Sequence, residues 1–174
     1  MTLEQAITNW DGKSASDIKE IYQRHCGTDS FTASLIKSLA PGDLQIGASW
    51  LLKHYLENKN TLGSDQLSAI YQSLSALGHW QARLHILQCR PMMPIGKPET
   101  KTVESFLRSC LADSNKFIRA WAYNGFFELA MQSPEYRPET RQFFDMALRD
   151  EAPSVKARIR NIMQSSAYQK AFED

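Results

Sequence analysis

The residue types best suited to chemistry in this chain are few and scattered. His85 and Cys89 stand four apart on one predicted helix, a spacing that sets two metal ligands on one face. A zinc-type site needs three or four ligands with supporting partners, and no third ligand follows at a matching offset. His25, His54 and His79 fall on other segments. Glu135 with Glu139, and Asp150 with Glu151, are candidate paired carboxylates. Each sits where a helix begins or ends, and helix-end electrostatics accounts for them without acid–base catalysis. HExxH, GxSxG, the P-loop and GxGxxG are all missing. The expectation is a non-catalytic protein with no metal and no cofactor.

A binding surface is better supported than a reaction centre. On the segments around 118 and 155, positions one, five and eight residues after the first apolar residue are set to face outward. They include Arg119, Tyr123 and Phe126, then Lys156 and Arg160, with His85 in the corresponding row of an earlier segment. The row turns basic and aromatic toward the C-terminal end, with Arg158 nearby, which suits an acidic peptide or phosphate groups. The same spacing also lets Tyr123 or Phe126 turn into the core.

These residues must be positioned by helices, because the hydrophobic period is helical almost everywhere. Leu67, Ile70, Tyr71, Leu74 and Leu77 recur at helical spacing, as do Val103, Phe106, Leu107, Cys110 and Leu111. No sustained strand alternation and no Asn-Gly or Asp-Gly hairpin signal occurs. Thr2 to Gln5 and Ser14 to Asp17 fit helix-capping boxes, and Pro98 and Pro134 stand where helices start. The pattern predicts an all-α chain of about ten helices: 2–10, 15–26, 29–40, 43–58, 64–77, 79–90, 99–112, 115–132, 136–149 and 153–172. Connections are short except at 91–98, where Pro91, Pro94 and Pro98 favour an extended segment. That segment serves either as a docking element carrying Met92, Met93 and Ile95 or as a stiff linker folded back on its neighbours.

An internal repeat organises the helices. Ile46-Gly-Ala48-Ser-Trp50, Trp80-Gln-Ala82-Arg-Leu84, Ile118-Arg-Ala120-Trp-Ala122 and Val155-Lys-Ala157-Arg-Ile159 align without gaps, their starts 34, 38 and 37 residues apart. Each follows another amphipathic helix, so the unit is a helical hairpin of about 37 residues. The alanines permit close helix approach. Trp121 lies in the most aromatic stretch, 117–127, and reads as core, while Gly125 reads as a close crossing of the preceding helix.

This pattern resembles the HEAT/armadillo class of α-solenoids, most clearly over 103–165. There the turns at Asp113 and Asp150 carry a basic residue six positions later. The resemblance implies an α–α superhelix of about four HEAT-like hairpins in a single domain. In that scheme 1–28 is an N-terminal cap, 29–90 holds two repeats, 91–98 is the Pro-rich connection and 99–174 holds two more. It also implies Asp113 with Arg119 and Asp150 with Lys156 as structural pairs. The function that follows is a protein- or peptide-binding scaffold using the groove of second helices. The alternative is nucleic-acid binding or base-repair chemistry, since some DNA-alkylation-repeat glycosylases resemble HEAT stacks with a basic groove.

Charge and composition weigh on that choice. The 174 residues carry 20 Lys+Arg and 19 Asp+Glu, and 97–174 alone counts 12 bases against 11 acids. That balance is unlike a nucleic-acid module. At 43% hydrophobic and 22% charged, the chain has the composition of a folded protein and not a disordered one. No apolar run reaches membrane-spanning length, no secretory signal opens the sequence, and the three dispersed cysteines favour core thiols in a reducing compartment. A cytoplasmic protein with no membrane partner is expected.

Overall fold

The computed structural model describes residues 1–40 and 42–172, so the last two positions of the expected 99–174 segment lie outside the described residues. Among the described residues every regular element is helical. The chain divides into two compact units, Met1–Met93 and Pro94–Asp174, with the boundary inside the Pro-rich segment.

The first unit contains α1 (Leu3–Asn9), α2 (Ala15–His25), α3 (Phe31–Lys37), α4 (Gln45–Glu57), α5 (Ser64–Ser73) and α6 (Trp80–Cys89). Thr2 caps α1 in a full capping box: its hydroxyl accepts the Gln5 N–H, and the Gln5 side chain accepts the Thr2 N–H. Ser14 accepts the Asp17 N–H at the start of α2, but the Asp17 carboxylate accepts from Ser16 and does not close a box. Between them Gly12 has φ +75°, a left-handed turn position, while Asp11 accepts the N–H groups of Lys13 and Ser14 at 2.8 Å each. The unit is knit by α4 against α6, α3 against α4 and α5, and α2 against α4. Its core includes Leu35, Leu51, Leu52, Ile70, Ile86 and Leu87.

One buried amide fastens this unit. Gln45, almost without solvent exposure, donates through Nε2 to the Ala76 carbonyl at 2.6 Å and the Ala40 carbonyl at 3.4 Å. Its Oε1 accepts the Gly78 N–H at 3.0 Å and the His79 N–H at 3.4 Å. One side chain at the start of α4 thus holds the turn that leads into α6.

The second unit contains α7 (Thr100–Leu111), α8 (Lys116–Gln132), α9 (Arg137–Asp150), α10 (Pro153–Met163) and α11 (Ser166–Phe172). α8 is central and packs on α7, α9 and α10. Its buried residues include Ile118, Ala122, Phe126 and Leu129, with Phe126 edge-on to Phe143 at 5.0 Å. Gly125 is where α7 crosses most closely, because a Cβ there would fall on Leu107 Cδ2.

Several expected boundaries shift. The helix expected over 153–172 breaks at Ser165, whose hydroxyl donates to the Ile162 carbonyl at 2.6 Å and accepts the Tyr168 N–H at 3.2 Å. One serine therefore ends α10 and caps α11. Tyr168 and Phe172 on α11 stack at 4.4 Å, and Phe127 lies 6.2 Å from each ring. The Pro-rich stretch is not extended throughout. It forms 3-10 turns at Arg90–Met92 and Lys97–Glu99, buries Met93, and gives the Ile95 N–H to Gln132 Oε1 at 2.7 Å.

The repeat register holds at Ile118 and Val155, both fully buried, and at Ala48, Ala82 and Ala120. It does not hold at Trp80, which is 48% exposed, nor at Ala157, which faces solvent; Ile46 is half-buried. The reason for Trp80 is positional. It is the first residue of α6, ahead of the buried set Ala82, Ile86, Leu87 and Cys89.

Candidate functional site

The aromatic-basic region of α8 and α10 contains two different arrangements. The first is closed. Arg119 grips Glu151 with two bonds, Nε to Oε1 at 2.8 Å and Nη2 to Oε2 at 3.0 Å. Its Nη1 donates to the main-chain carbonyls of Asp113 at 2.9 Å and Ser114 at 3.0 Å. Those bonds hold Glu151 below the usual carboxylate range, the Arg119 contact being the largest cause. The Tyr123 hydroxyl lies 3.5 Å from Glu151 Oε1. Burial first, then the Glu151 charge, pushes the phenol up to about 12. A guanidinium spent in this way ties two loops together and offers little to a ligand.

The implied repeat pairs take a different form here. Arg119 meets Asp113 through the main-chain carbonyl, while the Asp113 carboxylate accepts the Asn115 N–H at 2.8 Å. Lys156 donates to the Arg149 carbonyl at 2.9 Å. In the first turn the base satisfies loop carbonyls that follow the end of α7, and in the second a carbonyl of the last turn of α9.

The second arrangement is open. Arg158 on α10 stacks its guanidinium on the Trp121 ring, 3.8 Å from the centroid. Partial burial pulls the Arg158 pKa down, and no carboxylate of the described residues offsets it. Phe117 stands one turn before Trp121, on the same face of α8, and is 53% exposed. The Lys116 ammonium lies over its ring at 5.5 Å. Two cations and two aromatic rings thus share a surface that carries hydrogen-bond donors and apolar area together.

The six groove candidates separate on these facts. Arg119 and Tyr123 come together, at Glu151. Phe126 is fully buried and cannot meet a partner, and Tyr123 is also core. Lys156 is half-exposed and tied to a carbonyl, and Arg160 is exposed. His85 belongs to the first unit, where its Nδ1 lies 2.9 Å from Ser49 Oγ. Trp121 was expected in the core and is instead part-exposed beneath Arg158. Spacing did not mark that pair: Trp121 follows the buried Ile118 by three and Arg158 the buried Val155 by three, an offset that lies on the same helix face as the buried residue.

The remaining chemical candidates are structural. Ser49 is fully buried and its Oγ lies 3.0 Å from the Ile46 carbonyl. The hydroxyl proton goes to that carbonyl and the imidazole Nδ1–H donates to Oγ, which leaves no activated nucleophile. Burial pushes the Cys89 thiol up to about 12, so it stays protonated and is a poor metal ligand. Among the described residues no cluster of three or more His, Cys, Asp or Glu is placed to hold a metal ion. Glu139 takes both its bonds from Arg108, at 2.7 and 2.9 Å. Glu104 accepts from Tyr136, Lys101 and Arg108, and that set, Tyr136 foremost, lowers it to about 2. Among the described residues no helix is long and apolar enough to cross a membrane.

His85 gives a pH prediction. Burial, then Lys53, lowers its pKa from 6.5 to about 4, so the folded imidazole is neutral. Between pH 6.5 and 4 the unfolded chain binds a proton that the folded chain refuses, and stability falls as pH falls through that window. Urea unfolding at pH 7.5 and 4.5 should show wild type losing on the order of 1–2 kcal/mol more than His85→Asn, which keeps a donor for Ser49. Equal losses in the two proteins would place His85 in water.

The fold and this surface define an all-helical protein bearing a cationic-aromatic face on its second unit. The chain matches no family model, no curated protein and no solved structure.

Proposed function

We propose that the chain is a non-catalytic HEAT/armadillo-like binding protein whose α8–α10 face takes an acidic, apolar-containing peptide of a partner protein. In this reading α3–α4, α5–α6, α7–α8 and α9–α10 are the four repeat hairpins and α1–α2 is the cap. The observation that carries it is Arg158, stacked on Trp121 at 3.8 Å with no acid among the described residues to neutralise it. Stacking fixes the plane of the guanidinium and leaves its edge free for a carboxylate. Phe117 and Trp121 supply the apolar contact that a free phosphate would not use. The three free thiols fit a reducing, cytoplasmic setting.

The test is fluorescence anisotropy with a labelled peptide alternating Glu with Leu and Phe. Binding should be saturable and fall about tenfold or more in Arg158→Glu, equivalent to roughly 1.4 kcal/mol. Trp121→Ala should weaken it comparably. Indifference of the isotherm to both substitutions would refute the assignment. Salt-dependent capture of a single-stranded oligonucleotide in place of the peptide would transfer the face to nucleic acid.

A further inference from the structure

A second feature, in the first unit and independent of the reading above, concerns Arg90. It is 1% exposed and is among the largest fully buried side chains of the protein. Nη1 donates to the Tyr71 hydroxyl at 2.6 Å and lies 3.3 Å from the Met93 carbonyl. The Tyr71 hydroxyl in turn donates to that carbonyl at 2.9 Å. Nε and Nη2 are buried and have no hydrogen-bond partner. Every acceptor that Arg90 has is therefore neutral, and no carboxylate of the described residues engages it.

A buried guanidinium without a counter-anion is among the most costly arrangements a fold can hold, and native proteins pair such charges. The pattern of what is satisfied matters more than the count. Nη1 is used, while Nε–H and one Nη2–H, which point the same way along one edge of the planar group, are both open. That edge matches the two oxygens of a carboxylate or a phosphoryl group. The bonds from Nη1 to Tyr71 and Met93, and the Tyr71 ring 5.3 Å from the guanidinium carbon, hold the fork in one orientation.

We propose that the Nε/Nη2 edge of Arg90 is the receptor for a small two-oxygen anion, a phosphate or a carboxylate, that neutralises this charge inside the first unit. Entry needs a local opening. The 3-10 turn Arg90–Met92 is suited to it, because it is one short turn and Pro91 at its centre has no N–H to bond. The anion binds the folded chain only, since the unfolded chain has no fixed fork, and so it stabilises by mass action.

The experiment is thermal unfolding of the full chain in sodium phosphate, sodium acetate or sodium chloride at matched ionic strength and pH. Phosphate, acetate or both should raise the midpoint saturably above chloride, by about 3–6 °C once the anion exceeds its dissociation constant roughly tenfold. Phosphate alone assigns a phosphoryl ligand, and both together assign any two-oxygen anion. Arg90→Met should abolish the difference, and Arg90→Lys, which keeps the charge and loses the fork, should keep only a small part of it. Should those variants fail to fold, the side-chain Nε–H resonance of Arg90 in wild type must shift saturably on adding phosphate or acetate. No anion-specific rise over chloride, an equal rise in Arg90→Met, or an Arg90 resonance unmoved by both anions would overturn the site.

Discussion

Phe126→Ala should lower the unfolding free energy by about 3–5 kcal/mol, and Trp121→Ala, five residues earlier on the same helix, by only about 1–2 kcal/mol. The two side chains are similar in apolar area, so transfer free energy alone does not separate them. Their surroundings do. Phe126 is fully buried, edge-on to Phe143 at 5.0 Å, with the Arg108 guanidinium 5.7 Å from its ring. Truncation leaves a cavity at the centre of the α8 packing, where α7, α9 and α10 all converge and none can collapse freely. Trp121 is part-exposed, and its removal opens no closed space; what is lost is the stack with Arg158 and some half-buried area. Denaturant unfolding of both variants gives the comparison directly. A reversed order would mean that α8 is rotated so that Trp121 points inward, and would remove the open cationic-aromatic face on which peptide binding rests.

That pair of residues also shows how much the sequence disclosed. Helical period, caps and proline positions were enough to place nearly every helix, because those signals are local and each acts on its own segment. The register of α8 was harder. Buried positions cover most of its circumference: Ile118, Ala120, Ala122, Tyr123, Phe126 and Phe127 are all inside. A helix enclosed on nearly all sides has no clear apolar stripe, so spacing cannot say which aromatic is left out. The Ser165 break in 153–172 was hidden for a related reason. A serine inside a helical pattern is read as a surface residue until its two bonds, to the Ile162 carbonyl and the Tyr168 N–H, are seen.

The candidate site was legible in composition and not in pairing. Arg119 was picked out by its place after a turn, but its carboxylate partner, Glu151, is 32 residues away and belongs to another turn. Sequence separation of that size carries no local signal. The consequence was a misallocation within one small region. The arginine with the clearest motif position is fully engaged in structure, and Arg158, which has no motif, is left without a carboxylate among the described residues. Arg90 extends the point. Its burial and its orphaned edge come from a short turn folding back on Tyr71, 19 residues earlier, and nothing in the run of three prolines announces a buried charge.

Gln45→Glu should be the most damaging change of a single atom type in the first unit, costing about 3–4 kcal/mol at pH 7.5, against about 1–3 kcal/mol for Gln45→Leu. The wild-type amide matches its surroundings donor for acceptor. Nε2 faces two carbonyls, Ala76 and Ala40, and Oε1 faces two N–H groups, Gly78 and His79. Leucine forfeits those bonds, but the turn at 76–79 lies near solvent and water can replace part of what is lost. An ionised carboxylate is worse, since it sets an anionic oxygen against the two carbonyl oxygens in a position almost without exposure. Protonation restores one donor and so restores the pattern. The introduced carboxyl should therefore carry a raised pKa. The sign follows from linkage: with the folded group holding a proton that the unfolded one releases, the defect of Gln45→Glu relative to wild type shrinks as pH falls toward 5 and grows again above it. This is opposite to the His85 effect, which removes stability over the same interval, so the two are separable in the double variant Gln45→Glu with His85→Asn. Urea unfolding of the single and double variants from pH 4.5 to 8 measures both slopes. A Gln45→Glu defect that does not change with pH would mean that water reaches position 45 and that the α4 start is not fastened to the 76–79 turn by this amide.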